Sequence, residues 1–103
     1  MKNSLKVAAV QFNSHQTDKH VNLGRMHELI KKASSEKVDV LSFPEICITG
    51  YNFILYTKDK QELLDIAEQT PKGLSTQMMS KWSKENNITI LFGLLEKKEV
   101  DFN

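Results

Sequence analysis

One acidic side chain in this sequence follows directly on a predicted β-strand. Glu45 comes after Pro44, where an apolar run ends at Phe43. Proline cannot donate to a strand ladder and restricts the residue before it, so the strand ends here and offers the carboxylate a stiff platform. The apolar neighbours Phe43, Ile46 and Ile48 should withdraw water from this carboxylate, which favours a role as a general base. A surface glutamate that caps a nearby backbone amide is the alternative that the spacing alone leaves open.

The other side chains that could do chemistry lack partners at a useful spacing. Cys47 is the single cysteine, which excludes an internal disulfide and a zinc site made of several thiolates. Its apolar surroundings predict a poorly reactive thiol that is not a nucleophile. The loop at 13–17 has no glycine, which argues against a phosphate-binding loop. His15, His20 and His27 have no further ligand beside them, so we expect neither a metal nor a cofactor.

Three apolar runs and three amphipathic stretches must position Glu45. The runs predict strands at 7–12, 38–43 and 88–92. The amphipathic stretches predict helices, because their apolar residues recur every three or four positions. The expected inner faces are Met26, Leu29, Ile30 and Ala33 in the first helix, Leu63, Ile66 and Ala67 in a second that begins at Asp59, and Leu74, Met78 and Trp82 in the third.

The order of these elements predicts an α/β fold. Strands that alternate with helices are usually parallel and joined by right-handed crossovers, with helices covering the sheet. The run 88–92 is apolar without alternation, which is typical of a strand buried on both faces. In an open parallel sheet, functional groups collect beyond the carboxyl ends of the strands. We therefore expect Glu45 to lie close to the ends of the first and third strands.

Composition excludes several classes of partner. The 103 residues carry 14 Lys and Arg against 13 Asp and Glu, a net charge of +1 that provides no basic surface for nucleic acid. No apolar run approaches the roughly 20 residues of a membrane span. The apolar run near the start is too short for a secretory signal. We therefore expect one small domain in the cytoplasm, with no nucleic acid or membrane partner.

Four segments resemble, in order, the nitrilase or carbon–nitrogen hydrolase superfamily. Together they extend over essentially the whole chain. They are the opening strand at 7–11, the polar pair Asp18 and Asn22 that often precedes the family's first helix, the Pro-Glu…Gly-Tyr segment at 43–51, and the Gly-x-x-Glu formed by Gly93 and Glu96.

The resemblance implies a hydrolase that uses a glutamate, a lysine and a cysteine on non-peptide C–N bonds. Glu45 would be the base that accepts the cysteine thiol proton, and a lysine would stabilise the oxyanion. Glu96 resembles a further family glutamate that orients the lysine or the substrate, although a strand-end charge in solvent explains it equally well. Tyr51 would line the pocket by the same analogy, or would be a packed loop aromatic.

The sequence departs from the family pattern at the nucleophile and the lysine. Both lie downstream of the Gly-x-x-Glu in the family, and neither Cys47 nor Lys97 and Lys98 match their contexts. Residues 1–103 therefore resemble the N-terminal portion of an incomplete domain. The family fold is a four-layer α-β-β-α sandwich, whose complete members assemble as dimers or larger homo-oligomers. A chain with half of this sandwich should expose one apolar sheet face and an open strand edge.

Two hypotheses for function stay open. In the first, the chain is the front of a hydrolase that acts on a small amide, N-carbamoyl compound or nitrile. In the second, it is a truncated, non-catalytic remnant that acts in binding or assembly. A lysine-bearing segment and a cysteine after a strand, encoded beyond Asn103, would favour the first.

Overall fold

The computed structural model describes residues 4–15, 18–50 and 56–98. Strands and helices follow one another in the predicted order, strand–helix–strand–helix–helix–strand. The elements are β1 Val7–Ala9, α1 Lys19–Ser35, β2 Val40–Ser42, α2 Lys60–Ile66, α3 Leu74–Asn86 and β3 Thr89–Leu91. The α/β class is therefore confirmed.

The three strands form one parallel sheet in the order β1-β2-β3. Each strand is shorter than the run that predicts it, but backbone pairing continues beyond the strand ends. Val10 N donates to Ser42 O and Phe43 N donates to Leu91 O, both at 2.8 Å. All three strands therefore end side by side at the edge of the sheet where Glu45 follows.

Helices cover only one face of this sheet in the described part of the chain. The register aligns Ala8, Leu41 and Ile90 in one row, and this row packs into the core with α1 and α3. On the other face Val7 is 63% and Leu91 is 54% exposed. The prediction that the run 88–92 is buried on both faces is therefore wrong here, because alternate strand residues point away from the helices. The exposed apolar face expected of a half sandwich is present.

Helix α1 begins and packs as its sequence predicts. The Asp18 side chain accepts a hydrogen bond from Val21 N, which satisfies one of the free donors of the first turn. Met26, Ile30 and Ala33 are buried, and Leu29 packs against them. Asn22, which the family pattern places before the first helix, lies inside its first turns and is also buried.

Helix α3 matches its predicted face only in part. Trp82 is buried and Met78 packs against the core as predicted, but Leu74 is 44% exposed, and Ser75 and Met79 are buried instead. Ser75 turns inward to hydrogen-bond with a buried carboxylate, described below. Helix α2 has the predicted cap, with the Asp59 side chain accepting from Gln61 N, and the predicted face, with Leu63 and Ile66 half-buried and Ala67 buried just beyond the last helical residue.

None of the helices in the described part of the chain combines the length and the apolar composition that a membrane span needs.

Candidate active site

A tight turn follows β2 and carries Glu45. Residues 45–49 form this turn, which we call the Glu45 turn, and Gly50 N closes it by donating to Ile46 O at 3.0 Å. Within the turn, Cys47, Ile48 and Thr49 are buried. These buried residues support the exposed Glu45 side chain at the carboxyl-end edge of the sheet.

The backbone of the Glu45 turn is strained. Ile46 has a φ of 51° and Gly50 a φ of 88°. Glycine adopts such angles easily, but a β-branched residue in the left-handed region is a true outlier. Strain of this kind costs on the order of 1–3 kcal/mol and persists only where surrounding contacts enforce it.

One enforcing contact comes from the end of β3. A Cβ added to Gly93 would lie 2.5 Å from Ile46 N and 3.2 Å from Glu45 Cα. No side chain fits in that space, so the glycine allows two backbones to touch. The structure thus brings the Pro-Glu and Gly-x-x-Glu segments together, as the strand-end argument predicts.

A second set of contacts comes from the β1–α1 loop and α1. Ser14 Oγ donates to Cys47 O at 2.7 Å, and Asn22 Nδ2 donates to Ile48 O at 2.8 Å. Asn22 Nδ2 also donates to His15 O, while Asn22 Oδ1 accepts from His15 N, both at 2.7 Å. We call Ser14 and Asn22 the polar brace. It ties two carbonyls of the Glu45 turn to the β1–α1 loop and the first helix.

The Glu45 carboxylate faces solvent. The side chain is exposed and has no hydrogen bond or ion pair with another described residue. The prediction that apolar neighbours withdraw water from it is wrong for this part of the chain, because Phe43 and Ile48 are buried in the core. The alternative, a carboxylate that caps a nearby amide, is not seen among the described residues either.

Cys47 is a buried core residue in this arrangement. Its Sγ lies 3.8 Å from Met26 Sδ and 3.7 Å from Gly93 O. Burial raises the pKa of the Cys47 thiol, only partly countered by the hydrogen bond to the Gly93 carbonyl. This agrees with the prediction that Cys47 is not the nucleophile.

Glu96 lies beyond the end of β3 in an open polar region. Its exposed carboxylate accepts a hydrogen bond from Thr70 Oγ1, and its backbone pairs with Glu68 in a parallel bridge. A cavity of about 220 Å³ adjoins it, lined also by Lys72 and Lys97 but not by Glu45. The two predicted acids are therefore linked through Gly93, three residues before Glu96, and Glu45 does not line the cavity beside Glu96.

Glu68 is the buried acid that the sequence analysis missed. It is 7% exposed and accepts hydrogen bonds from Ser75 N at 2.7 Å and Ser75 Oγ at 2.6 Å, and Lys19 Nζ lies 3.1 Å away. Burial alone would raise the pKa of Glu68, but the hydrogen bonds from Ser75 and the Lys19 charge outweigh it, so the pKa lies below its ordinary value. Glu68 fixes the start of α3 next to Glu96. No periodic pattern in the sequence marks it.

Within residues 4–15, 18–50 and 56–98, no three His, Cys, Asp or Glu side chains are grouped closely enough to hold an ion.

Comparison with known proteins agrees with the family resemblance of the sequence. A family profile described as "Carbon-nitrogen hydrolase" matches residues 6–102. The chain belongs to the carbon–nitrogen hydrolase family. It is 31% identical over 93 residues to a protein named "Nitrilase" from Pyrococcus abyssi (strain GE5 / Orsay). The match covers 90% of this chain and 34% of the relative, so the chain spans about a third of the relative's length.

For this carbon–nitrogen hydrolase chain, the roles of the predicted site residues stay predictions. Glu45 and Glu96 follow the carboxyl ends of β2 and β3. Tyr51 lies outside the described residues. The sequence analysis used Asn22 only as a family marker and did not identify Ser14, although each contacts the backbone of the Glu45 turn.

The close approach at Gly93 gives a first prediction for this carbon–nitrogen hydrolase chain. We expect Gly93→Ala to lower the free energy of unfolding by about 2 kcal/mol. The new methyl group would collide with the backbone of Glu45 and Ile46, in a turn whose residues 47–49 are buried. Urea denaturation followed by the fluorescence of Trp82, the single tryptophan, measures the change. Gly24→Ala is the control, because a Cβ there meets nothing within 4 Å. Equal stability of Gly93→Ala and the parent would contradict the predicted collision.

Proposed function

We propose that this chain provides the base-bearing part of a hydrolase that cleaves a small amide, N-carbamoyl compound or nitrile through a thioester. The observation that carries the proposal is the placement of Glu45. An exposed carboxylate on a strained turn, in backbone contact with the end of the neighbouring strand, can meet a substrate. The family membership supplies the reaction class.

The proposed chemistry on an amide has two halves. Glu45 accepts the proton of a cysteine thiol, and the thiolate attacks the carbonyl carbon while a lysine stabilises the oxyanion. The C–N bond breaks, the leaving nitrogen takes the proton from Glu45, and ammonia or an amine departs. Glu45 then takes a proton from water, which attacks the thioester. The carboxylic acid departs, and Glu45 returns the proton to the cysteine, which restores the thiol. Glu96 orients the lysine or the substrate.

The lysine and cysteine of this scheme come from outside residues 1–103. We use "complete hydrolase" for this chain together with the segment that supplies them, in one polypeptide or in a complex. The exposed sheet face around Val7 and Leu91 supports the four-layer sandwich, because a second sheet could pack against it. The family resemblance also favours a homo-oligomer of complete molecules.

Ammonia release and covalent trapping test the proposal. We expect ammonia from short amides with the complete hydrolase, and none above background with the 103-residue chain alone. Mass spectrometry of the trapped thioester should map the acyl group to a cysteine other than Cys47, whose thiol is buried. Cys47→Ala should keep kcat within about threefold, because the thiol contacts only Met26 Sδ and the Gly93 carbonyl and takes no part in the proposed chemistry. An acyl group on Cys47, or Glu45-dependent turnover by the 103-residue chain, would contradict the proposal.

A further inference from the structure

The Glu45 turn depends on contacts from other parts of the chain. Among the described residues one backbone bond closes it, from Gly50 N to Ile46 O, and Ile46 stays in the left-handed region. A strained segment keeps its shape only where outside contacts fix it. Gly93 limits the turn from one side by steric contact, but contact alone does not satisfy the carbonyl groups of the turn.

The polar brace donates hydrogen bonds to two of these carbonyl groups. Ser14 reaches Cys47 O and Asn22 reaches Ile48 O, so two successive carbonyls of the turn each accept a side-chain donor. Both carbonyls belong to buried residues, where an unmade hydrogen bond costs the full desolvation of the group. The brace therefore favours one backbone path for the turn over others.

The brace is itself held rigidly. Asn22 is completely buried, and its amide uses both donors and its oxygen in hydrogen bonds to His15 and Ile48. The loop that carries Ser14 is tied to α1 a second time, because Arg25 donates to Asn13 O. Packed, fully bonded groups of this kind can hold a functional side chain to within a fraction of an ångström.

From these contacts we infer that Ser14 and Asn22 are positioning residues that hold Glu45 in place for catalysis. This inference rests on the proposed function of Glu45 as the base. Neither residue touches the reacting atoms in this role. They act through the backbone of the Glu45 turn, and misplacing a base by about 1 Å lowers turnover by up to about a hundredfold.

Ser14→Ala is the decisive variant, and Ser34→Ala is its matched control. Each serine is half-buried and donates from Oγ to a distant backbone carbonyl, Ser14 to Cys47 O at 2.7 Å and Ser34 to Asn86 O at 2.8 Å. The Ser34 bond lies at the opposite end of the sheet, away from the Glu45 turn. A loss of stability common to both variants is therefore structural, and a difference between them belongs to the turn.

A local measurement on the 103-residue protein tests the physical step. Amide hydrogen exchange at Gly50 N, which closes the turn, should be at least about fivefold faster in Ser14→Ala and unchanged in Ser34→Ala. Unchanged exchange at Gly50 in Ser14→Ala, relative to the parent, would overturn the inference whatever the protein's activity is.

A kinetic measurement on the complete hydrolase tests the functional step. We expect Ser14→Ala to lower kcat about tenfold and Asn22→Ala about a hundredfold, with KM within about twofold, and Ser34→Ala to keep kcat within about twofold. In a Glu45→Gln background, Ser14→Ala should have no further effect, because it acts only through Glu45. If Asn22→Ala does not fold, the comparison of Ser14→Ala with Ser34→Ala still tests the positioning role.

The outcomes separate the two proposals. If Glu45→Gln is inactive but Ser14→Ala and Ser34→Ala lose kcat equally, the positioning role is wrong and the base assignment stands. An additive loss in the double variant would have the same meaning. If Glu45→Gln keeps full activity, the proposed function itself fails, and the positioning role fails with it.

Discussion

Glu45→Gln should lower kcat of the complete hydrolase by at least about a thousandfold. The glutamine amide has nearly the same size as the carboxylate but cannot accept a proton, so both proton transfers assigned to Glu45 are lost. The fold should not change, because Glu45 is exposed and bonds to no other described residue. We therefore expect a thermal midpoint within about 2 °C of the parent.

Ammonia release and the midpoint are measured on the same preparation, with Glu85→Gln as the control. Glu85 is an exposed glutamate on α3 that pairs with Lys81 at 3.9 Å, and its replacement should leave kcat unchanged. A Glu45→Gln variant with more than a tenth of the parent's kcat would remove Glu45 from the mechanism.

Glu68→Ala should lower the free energy of unfolding by about 3 kcal/mol. The change leaves Lys19 without its partner and removes the acceptor of two bonds from buried Ser75. Glu85→Ala is the matched control, because it breaks an exposed glutamate–lysine pair and should cost under about 0.5 kcal/mol. Urea denaturation of the 103-residue chain at pH 7, followed by Trp82 fluorescence, compares the two. Equal losses would show that burial adds nothing to the Glu68 pair.

The contribution of Glu68 should also depend on pH. Because its pKa in the folded protein lies below the ordinary value of 4.5, the ionised carboxylate stabilises the fold above that value. The stabilisation is lost as the pH falls through the lower, folded pKa. Urea midpoints of the parent and Glu68→Gln should therefore converge below pH 4.5. A difference that stays constant from pH 7 down to pH 3 would contradict this.

Sequence periodicity predicted the elements that apolar burial controls. The stripe of α1, the parallel order of the strands and the Asp59 cap all follow from local spacing, and the structure contains each of them. The face of α3 was predicted correctly at Trp82, but Ser75 is buried where Leu74 was expected, because of a polar contact. Ser75 turns inward toward Glu68, seven residues earlier, and no apolar period records that bond.

The parts of the site that could not be predicted depend on polar partners far apart in the chain. Ser14 and Cys47 are 33 residues apart, and Asn22 and Ile48 are 26 apart. A serine or asparagine has the same appearance in the sequence whether it bonds to water or to a buried carbonyl. Only the folded chain shows which of them hold the Glu45 turn.

The contacts of the Glu45 turn also bear on how the chain matures during synthesis. Ser14 and Asn22 leave the ribosome before Glu45, whereas Gly93 leaves 48 residues after it. A nascent chain that stops short of Gly93 can form the hydrogen bonds from Ser14 and Asn22 to the Glu45 turn but lacks the steric contact with Gly93. The Glu45 turn thus reaches its final geometry late, when β3 pairs with β2, and pairing of segments so distant in sequence is slow.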